Sequence, residues 1–473
     1  MDRDTSANRT VSVPFGAWYG EEELALSFPD GWEVTLLSPD DAPALDDAQV
    51  AEAFARPCGT AAVRELVVGR ASVVIAVDDL TRPTPVHRVL PTLLDELRAG
   101  GIAEENITLL LGTAAHRPLQ TDEIERKLGR GIHERLRVVQ HDFMGEDIRF
   151  IGWVQGGPVH LNRHFLDADI RICIGGVIPH NETGFGGGSK MVVPGVAGRH
   201  TIAHFHGALP PRPAGVVEAA PGVRDRRAWS EAVARHVGVD AILACAINSK
   251  RELAGLWVGD LVQAHRAAAE RALAIGRTPV PAELAQHCDV AVVNAYPLDT
   301  DPIQMAKSLY AARELDPAST VVVNAASDGV FYHGMGMGSG LHLPRLLRNL
   351  PNWLTSPRDI WTWFRGLSTA APQPLLAGRL CYFTLNHLAF EHFERTEGRQ
   401  SATAPARMPS PEDADLLVFS ERFPAWGFKR RYRKGHLFDR WDAIAEILDR
   451  RHPNGRAAVF PCAPLQIPVT VDP

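Results

Sequence analysis

The sequence predicts an α/β protein of two domains, each a largely parallel sheet flanked by helices, with the active site in the cleft between them. Three observations predict this. Short continuous apolar runs recur along the chain, and each leads through a polar or glycine-rich turn into a helix-spaced pattern. Runs that are apolar throughout suit parallel strands covered on both faces. The unusual polar clusters fall at the carboxyl ends of those runs, where open parallel sheets gather ligands.

The elements follow in order. "ASVVIAV" at 71–77 runs into "DDLTRPTP", and "VHRVLPTLLDELRAG" then carries helical spacing and a glycine stop. "ITLLLG" at 107–112 runs into "TAAHRP" and the helical "TDEIERKLG", and "IRICIGG" at 170–176 runs into "HNETGFGGGSK". Later, "DVAVVNA" at 289–295 precedes "YPLDTDPIQMAKSL", and "TVVVNA" at 320–325 precedes "ASDGVFYHGMGMGSG". The proline-bearing "IGRTPVPAEL" reads as a connection between domains. We therefore expect an N-terminal cofactor-binding domain over 1–275 and a C-terminal domain over 276–473, both within ordinary domain sizes. Residues 341–415 break the pattern; three tryptophans followed by "SATAPARMPSPEDA" read as a helical insertion and a surface loop.

Composition narrows the function. The 473 residues are 45% hydrophobic and 22% charged, with a formal net charge of -7, so the chain lacks the basic footprint of a nucleic-acid binder. The short "KRRYRKG" at 429–435 reads as a solvated surface segment. Six cysteines (58, 173, 245, 288, 381 and 462) form no CxxC pair, which argues against a disulfide framework or a cysteine zinc site and fits a reducing compartment. No apolar signal region opens the chain, and "PLLAGRLCYFTLNHLAF" is broken by Arg379, Asn386 and His387. A cytoplasmic protein without membrane contact is expected.

Four constellations carry chemistry. In "GFGGGSK", Gly186, Gly187 and Gly188 follow a strand, so their amides can approach an anion closely. Ser189 before Lys190 and Met191 after it exclude a P-loop, and the dinucleotide fingerprint lacks its acidic partner. His116, His180, His200, His204 and His206 come from three strand-end loops, and imidazole suits proton transfer or metal ligation. His200 and His204 have the i, i+4 spacing of half a zinc site, but no glutamate stands in the HExxH position; their ordinary reading is a helix surface or an interface. In "DDLTRPTP", Asp79, Thr81 and Arg82 sit on a proline-stiffened turn, and the arginine can grip a carboxylate or phosphate bidentately; a plain salt-bridged turn reads equally well. Gln304 and Lys307 share a predicted helix face, which taken alone is an ordinary exposed helix.

Together these residues resemble the nickel-dependent lactate racemase family. The matching features are the DxTRPxP turn (Asp79, Thr81, Arg82, Pro83, Pro85), "HRP" at 116–118, "H…GFGGGSK…VPG" at 180–195, His206, and the Gln304/Lys307 pair. The resemblance spans roughly residues 12–340. It implies a nickel-pincer nucleotide, a pyridinium bisthiocarboxylate mononucleotide joined to Lys190. It further implies that the glycine loop, with Asp79 and Thr81, binds the cofactor, and that His206 is the protein ligand to nickel. His116 and His180 would be paired acid/base groups, and Arg82, Gln304 and Lys307 would hold the substrate. The implied partners are a small 2-hydroxy acid and the enzymes that build the cofactor; a homodimer is compatible.

The chemistry suits these residue types. Proton removal from Cα of a 2-hydroxy acid is opposed by the adjacent carboxylate, whereas hydride departure becomes easier as a base takes the hydroxyl proton. The planar 2-keto acid can accept hydride back on either face, which gives racemisation or epimerisation. The hard step belongs to the cofactor, and the protein supplies position and charge. Three departures from the family pattern are expected to touch the pocket: Ser189 for arginine, Ile303 for tyrosine and Leu80 for histidine. Short-chain, aromatic, dicarboxylic and sugar-derived 2-hydroxy acids all stay in view. The competing readings are a zinc hydrolase using His200, His204 and His206, an NAD-type dehydrogenase, and a non-catalytic binder of a phosphorylated metabolite.

Overall fold

The structure, a computed structural model, describes residues 10–116, 118–220, 222–300, 304–327, 415–423 and 435–472. Ile303, nearly all of the predicted insertion at 341–415 and most of "KRRYRKG" lie outside them. Two six-stranded sheets dominate. In chain order their strands are β1 (Glu33–Leu36), β2 (Val73–Val77), β3 (Ile107–Leu111), β4 (Arg137–Gln140), β5 (Ile170–Gly176), β6 (Ala241–Ile247), β7 (Leu253–Gly259), β8 (Val290–Asn294), β9 (Ser319–Val323), β10 (Asp415–Phe419), β11 (His436–Phe438) and β12 (Arg456–Phe460). The first sheet has the order β7-β6-β5-β2-β3-β4 and is parallel except at its β6–β7 edge. The second, β11-β10-β9-β8-β12-β1, is parallel throughout.

Continuous apolar runs become central strands because both faces are covered. Every residue of β2 and of β8 is buried. In β2, Val73, Ile75 and Val77 pack into one core while Val74 and Ala76 pack into another. Likewise Ala291 and Val293 of β8 face one core, and Val290 and Val292 face the other. This is the period-two alternation of a strand between two helical layers. Burying a valine or isoleucine side chain in this way contributes about 1.5–3 kcal/mol.

Helix α1 (Val86–Ala99) and helix α2 (Thr121–Leu128) follow β2 and β3, as their spacing predicts. A hairpin of Ile148–Val154 and Gly157–Asn162 packs on α3 (Arg199–Gly207). Helix α4 (Arg226–Val237) runs behind the glycine stretch, and α5 (Gln263–Gly276) covers β6 and β7. The stretch expected as a proline-bearing connection is instead a short strand, Arg277–Pro281, paired in parallel with Ile467–Val471. Its prolines are tolerated at the edge of a two-stranded sheet.

The first described elements pack on or join the second sheet. The hairpin of Thr10–Phe15 and Glu22–Ser27 packs Val11, Val13, Phe15 and Leu26 against β8 and β9, and β1 pairs with β12. The turn of that hairpin is tied to the segment after β8: the Asp299 carboxylate accepts from the Gly16 amide at 2.8 Å and the Ala17 amide at 3.2 Å. No helix among the described residues is long and apolar enough to cross a membrane.

Candidate active site

A cavity of about 340 Å³ lies at the carboxyl ends of β2, β3 and β5, and Gln304, Ala306 and Lys307 from the segment after β8 also line it. It brings together Asp79, Thr81, Arg82, His116, His180, Gly187, Lys190, His206, Gln304 and Lys307. Gly186 and Gly188 are not part of its lining. The Gln304/Lys307 pair occupies a single 3-10 turn rather than a longer helix, with both side chains buried and Lys307 Nζ bonded to Gln304 Oε1.

The turn after β2 is built around one carboxylate. Asp79 Oδ1 accepts from the Thr81 amide at 2.9 Å and from the Thr81 hydroxyl, and Asp79 Oδ2 lies 2.6 Å from His116 Nδ1. Burial favours the protonated acid, but the His116 imidazole, Arg82 and Thr81 outweigh it and hold Asp79 well below the usual carboxylate range. A carboxylate only accepts, so His116 Nδ1 is the donor in this pair, and whenever the ring is neutral its lone pair lies on Nε2. Arg82 Nη1 donates to Thr81 Oγ1 at 2.9 Å, fixing the guanidinium to the same turn.

His180 is held the other way round. Its Nδ1 accepts the Glu182 amide proton at 3.2 Å, and its Nε2 lies 2.9 Å from Lys190 Nζ. Burial, then Lys190, Lys307, Arg82 and Arg227, keep its pKa well below the usual histidine value. The ring is neutral, and its proton sits on Nε2. His116 and His180 are therefore hydrogen-bonded in opposite senses in this cavity.

The glycine loop is needed for packing as much as for approach. A Cβ on Gly187, whose φ is +64°, would lie 3.0 Å from the Gly176 carbonyl oxygen and 3.2 Å from that of Gly175. One on Gly188 would meet His265 at 2.7 Å. The Gly186 amide already donates to the Ile178 carbonyl at 2.7 Å. Behind the loop, buried Arg227 donates to the carbonyls of Thr183, Phe185, Gly186 and Gly187 and to Ser189 Oγ, and His265 Nε2 bonds the Gly186 carbonyl at 2.8 Å. This clamp presents Lys190, only 8% exposed, to the cavity. Burial and the guanidinium groups of Arg82, Arg227 and Arg226 push the lysine pKa well down, against the opposing pull of Glu182.

His206, in the last turn of α3, faces Glu182, with Nε2 at 3.9 Å from the carboxylate. Burial pulls the imidazole down to about 4. Glu182 is itself held at about 2: burial opposes ionisation, and His206, Arg226 at 2.6 Å, Lys190 and Lys307 favour it. His206 Nδ1 is buried with no hydrogen-bond partner, which fits a nitrogen reserved for a metal. His200 and His204 turn elsewhere, the first ring 5.2 Å from that of His160 and the second 4.9 Å from Trp229. Among the described residues no group of three or more His, Cys, Asp or Glu side chains could hold a metal ion. The zinc reading thus lacks converging ligands, so a metal beside His206 would need its other donors from a bound group.

Two family departures face away from the cavity, contrary to expectation. Leu80 is fully buried in the core beside α1, and Ser189 Oγ bonds Ser230 Oγ at 2.7 Å. Sequence reasoning missed Glu182, Arg227 and the buried pair Asp78–Lys127. Lys127 Nζ lies 2.6 Å from Asp78 Oδ1 and donates to the Arg82 carbonyl at 3.0 Å, buttressing the turn from below. Nothing in "TDEIERKLG" marks that lysine as buried.

The chain is similar to known proteins in sequence and in fold. The profile of the lactate racemase N-terminal domain matches residues 19–214, a range that holds every site residue of the first sheet. The chain is 28% identical over 338 residues to a lactate racemase of Thermoanaerobacterium thermosaccharolyticum, covering 67% of this chain and 75% of the relative. It is 26% identical over 332 residues to a lactate racemase of Lactiplantibacillus plantarum, covering 65% and 75%. The solved lactate racemase apoprotein of T. thermosaccharolyticum shares the fold, with TM-score 0.67 and 20% identity over 97% of this chain and 100% of that one. A Thermotoga maritima protein does so with TM-score 0.57 and 17% identity over 91% and 100%. Over residues 19–214 the chain thus matches the lactate racemase N-terminal domain, and over about two thirds of its length it is similar to lactate racemases.

Proposed function

We propose that this protein is a racemase or epimerase of a small 2-hydroxy acid that works with a nickel-pincer nucleotide joined to Lys190. The observation that carries the reading is one cavity holding two oppositely hydrogen-bonded imidazoles beside a buried amine. Lys190 would tether the cofactor, His206 would ligate its nickel through the unpartnered nitrogen, and Gly187 lies where a phosphate can approach the backbone. Asp79 and Thr81, expected at the cofactor, also orient His116. When bound, the cofactor supplies a reversible two-electron acceptor for the substrate's Cα–H bond.

The chain's own residues do the rest. Arg82, Gln304 and Lys307 offer donors for the substrate carboxylate and hydroxyl from two sides of the cavity. His116 Nε2 takes the hydroxyl proton as the carbonyl forms, and Asp79 stabilises the imidazolium that results. With the carboxylate anchored, the keto group turns its other face to the cofactor while His180 Nε2–H donates to its oxygen. The proton held on His116 returns to that oxygen as the Cα–H bond re-forms, so the protons balance for either enantiomer. The lactate racemase relatives make lactate the first substrate to try, followed by bulkier 2-hydroxy acids.

The test is intact mass and nickel content after co-expression with cofactor-building enzymes. The reading expects a covalent mass increase and bound nickel, with the increase lost in Lys190→Ala. An unchanged adduct in that variant, or zinc in place of nickel, would overturn it.

A further inference from the structure

The hydrogen bonds around His180 leave one arrangement of protons. The Glu182 backbone amide can only donate, so His180 Nδ1 must accept, and the neutral ring carries its hydrogen on Nε2. That hydrogen points along the 2.9 Å contact to Lys190 Nζ. An ammonium has three donors and no lone pair, so it would meet this N–H donor to donor. The contact requires the lysine nitrogen to accept.

We propose that His180 acts before any turnover, holding Lys190 as an uncharged amine ready to be joined to an acyl or thioacyl carbon. The proposal rests on reading Lys190 as the tether, but it concerns the protein before loading. Joining would form the N–C bond and break the bond from that carbon to its leaving group. The leaving group departs with the electron pair and takes up the proton the nitrogen gives up. His180 Nε2–H, already aimed at the reacting nitrogen, is placed to hydrogen-bond that group as it leaves.

The surroundings agree. Arg82 from the turn after β2, Arg226 and Arg227 from α4, and Lys307 from the segment after β8 all place positive charge around the pair. Glu182 opposes them, and it is engaged by Arg226 at 2.6 Å and faces His206 on α3; the Asp79 and Asp78 carboxylates in the same cavity are engaged by His116 and Lys127. The face of the Phe205 ring, 5.9 Å from the amine, favours an ammonium only weakly at that distance. The same burial and positive surroundings that would be poor for an ammonium suit a free amine.

The experiment treats unloaded full-length protein with limiting acetic anhydride from pH 6.5 to 9 and follows each lysine by peptide mass spectrometry. The exposed Lys250 serves as internal reference. The proposal expects Lys190 to react at least tenfold faster than Lys250 at pH 7, with a nearly flat profile above pH 7. A lysine held as an ammonium would instead gain about tenfold per pH unit over this range. In His180→Phe, which removes the donor but keeps the bulk, Lys190 should regain a rising profile and slow at least tenfold at pH 7. A Lys190 no faster than Lys250, or a His180→Phe profile matching wild type, would overturn the proposal. If His180→Phe does not fold, the wild-type profile still decides. A reactive Lys190 in a chain that never acquires the cofactor would remove the tether reading while leaving this one standing.

Discussion

His116 Nδ1 lies 2.6 Å from the Asp79 carboxylate, and this contact decides which imidazole nitrogen faces the cavity. Across the same space His180 takes its orientation from a backbone amide instead. One tautomer is thus set by a removable side chain and the other by the main chain, so only the first is open to direct mutational test.

Asp79→Asn should preserve the turn but weaken control of the His116 tautomer. We expect kcat to fall by roughly 10²–10⁴-fold at equal nickel content, the range typical of losing an oriented acid/base group. Steady-state kinetics on nickel-matched samples checks this; a variant with wild-type kcat would show that Asp79 does not position the base.

Lys127→Met should strand the buried Asp78 carboxylate. Lys127 is fully buried and Asp78 nearly so, and removing one member of such a pair costs about 3–5 kcal/mol. Urea denaturation would reveal it. Asp78→Asn combined with Lys127→Met should recover part of the loss, because no isolated charge then remains.

Acid should destabilise the fold through His141. This buried ring bonds the Ala197 carbonyl at 3.0 Å and Asn162 at 3.2 Å, and burial depresses its pKa to about 4. Above about pH 6.5 it is neutral folded and unfolded, so its contribution is complete. As pH falls below that value the unfolded chain takes a proton that the folded chain refuses, and stability declines until about pH 4. The linkage is at most about 3 kcal/mol. Denaturation midpoints of His141→Gln should therefore vary less between pH 7 and 5 than those of wild type.

The histidines of α3 should separate cleanly. His206→Ala should lower nickel retention at least tenfold, whereas His204→Ala should leave it unchanged, since that ring packs on Trp229. Metal analysis after gel filtration distinguishes the two, and equal losses would point to a shared site instead.

Much of this arrangement was legible in the sequence because strand-end positions are. Runs such as "VVIAV" and "IRICIGG" read as buried parallel strands, and the loops after them bring Asp79, His116, His180 and Lys190 to one place. Supporting residues were not legible. Arg227 sits on a helix and Lys127 in a charged segment, and only tertiary packing shows that each points inward to hold a loop. The pairing of β1 with β12 was equally hidden, since a four-residue edge strand with half-exposed side chains carries little periodic signal. Leu80 and Ser189 were misjudged for a related reason: a family position named in sequence does not say which way its side chain faces.

The most direct measurement supplies the cofactor-loaded enzyme with one enantiomer of lactate, then of bulkier 2-hydroxy acids, deuterated at Cα, in ordinary water. The account predicts that the opposite enantiomer accumulates with deuterium still at Cα, while the hydroxyl proton exchanges. Inversion with the label lost to solvent, or nickel-loaded protein that inverts none of these acids, would contradict it.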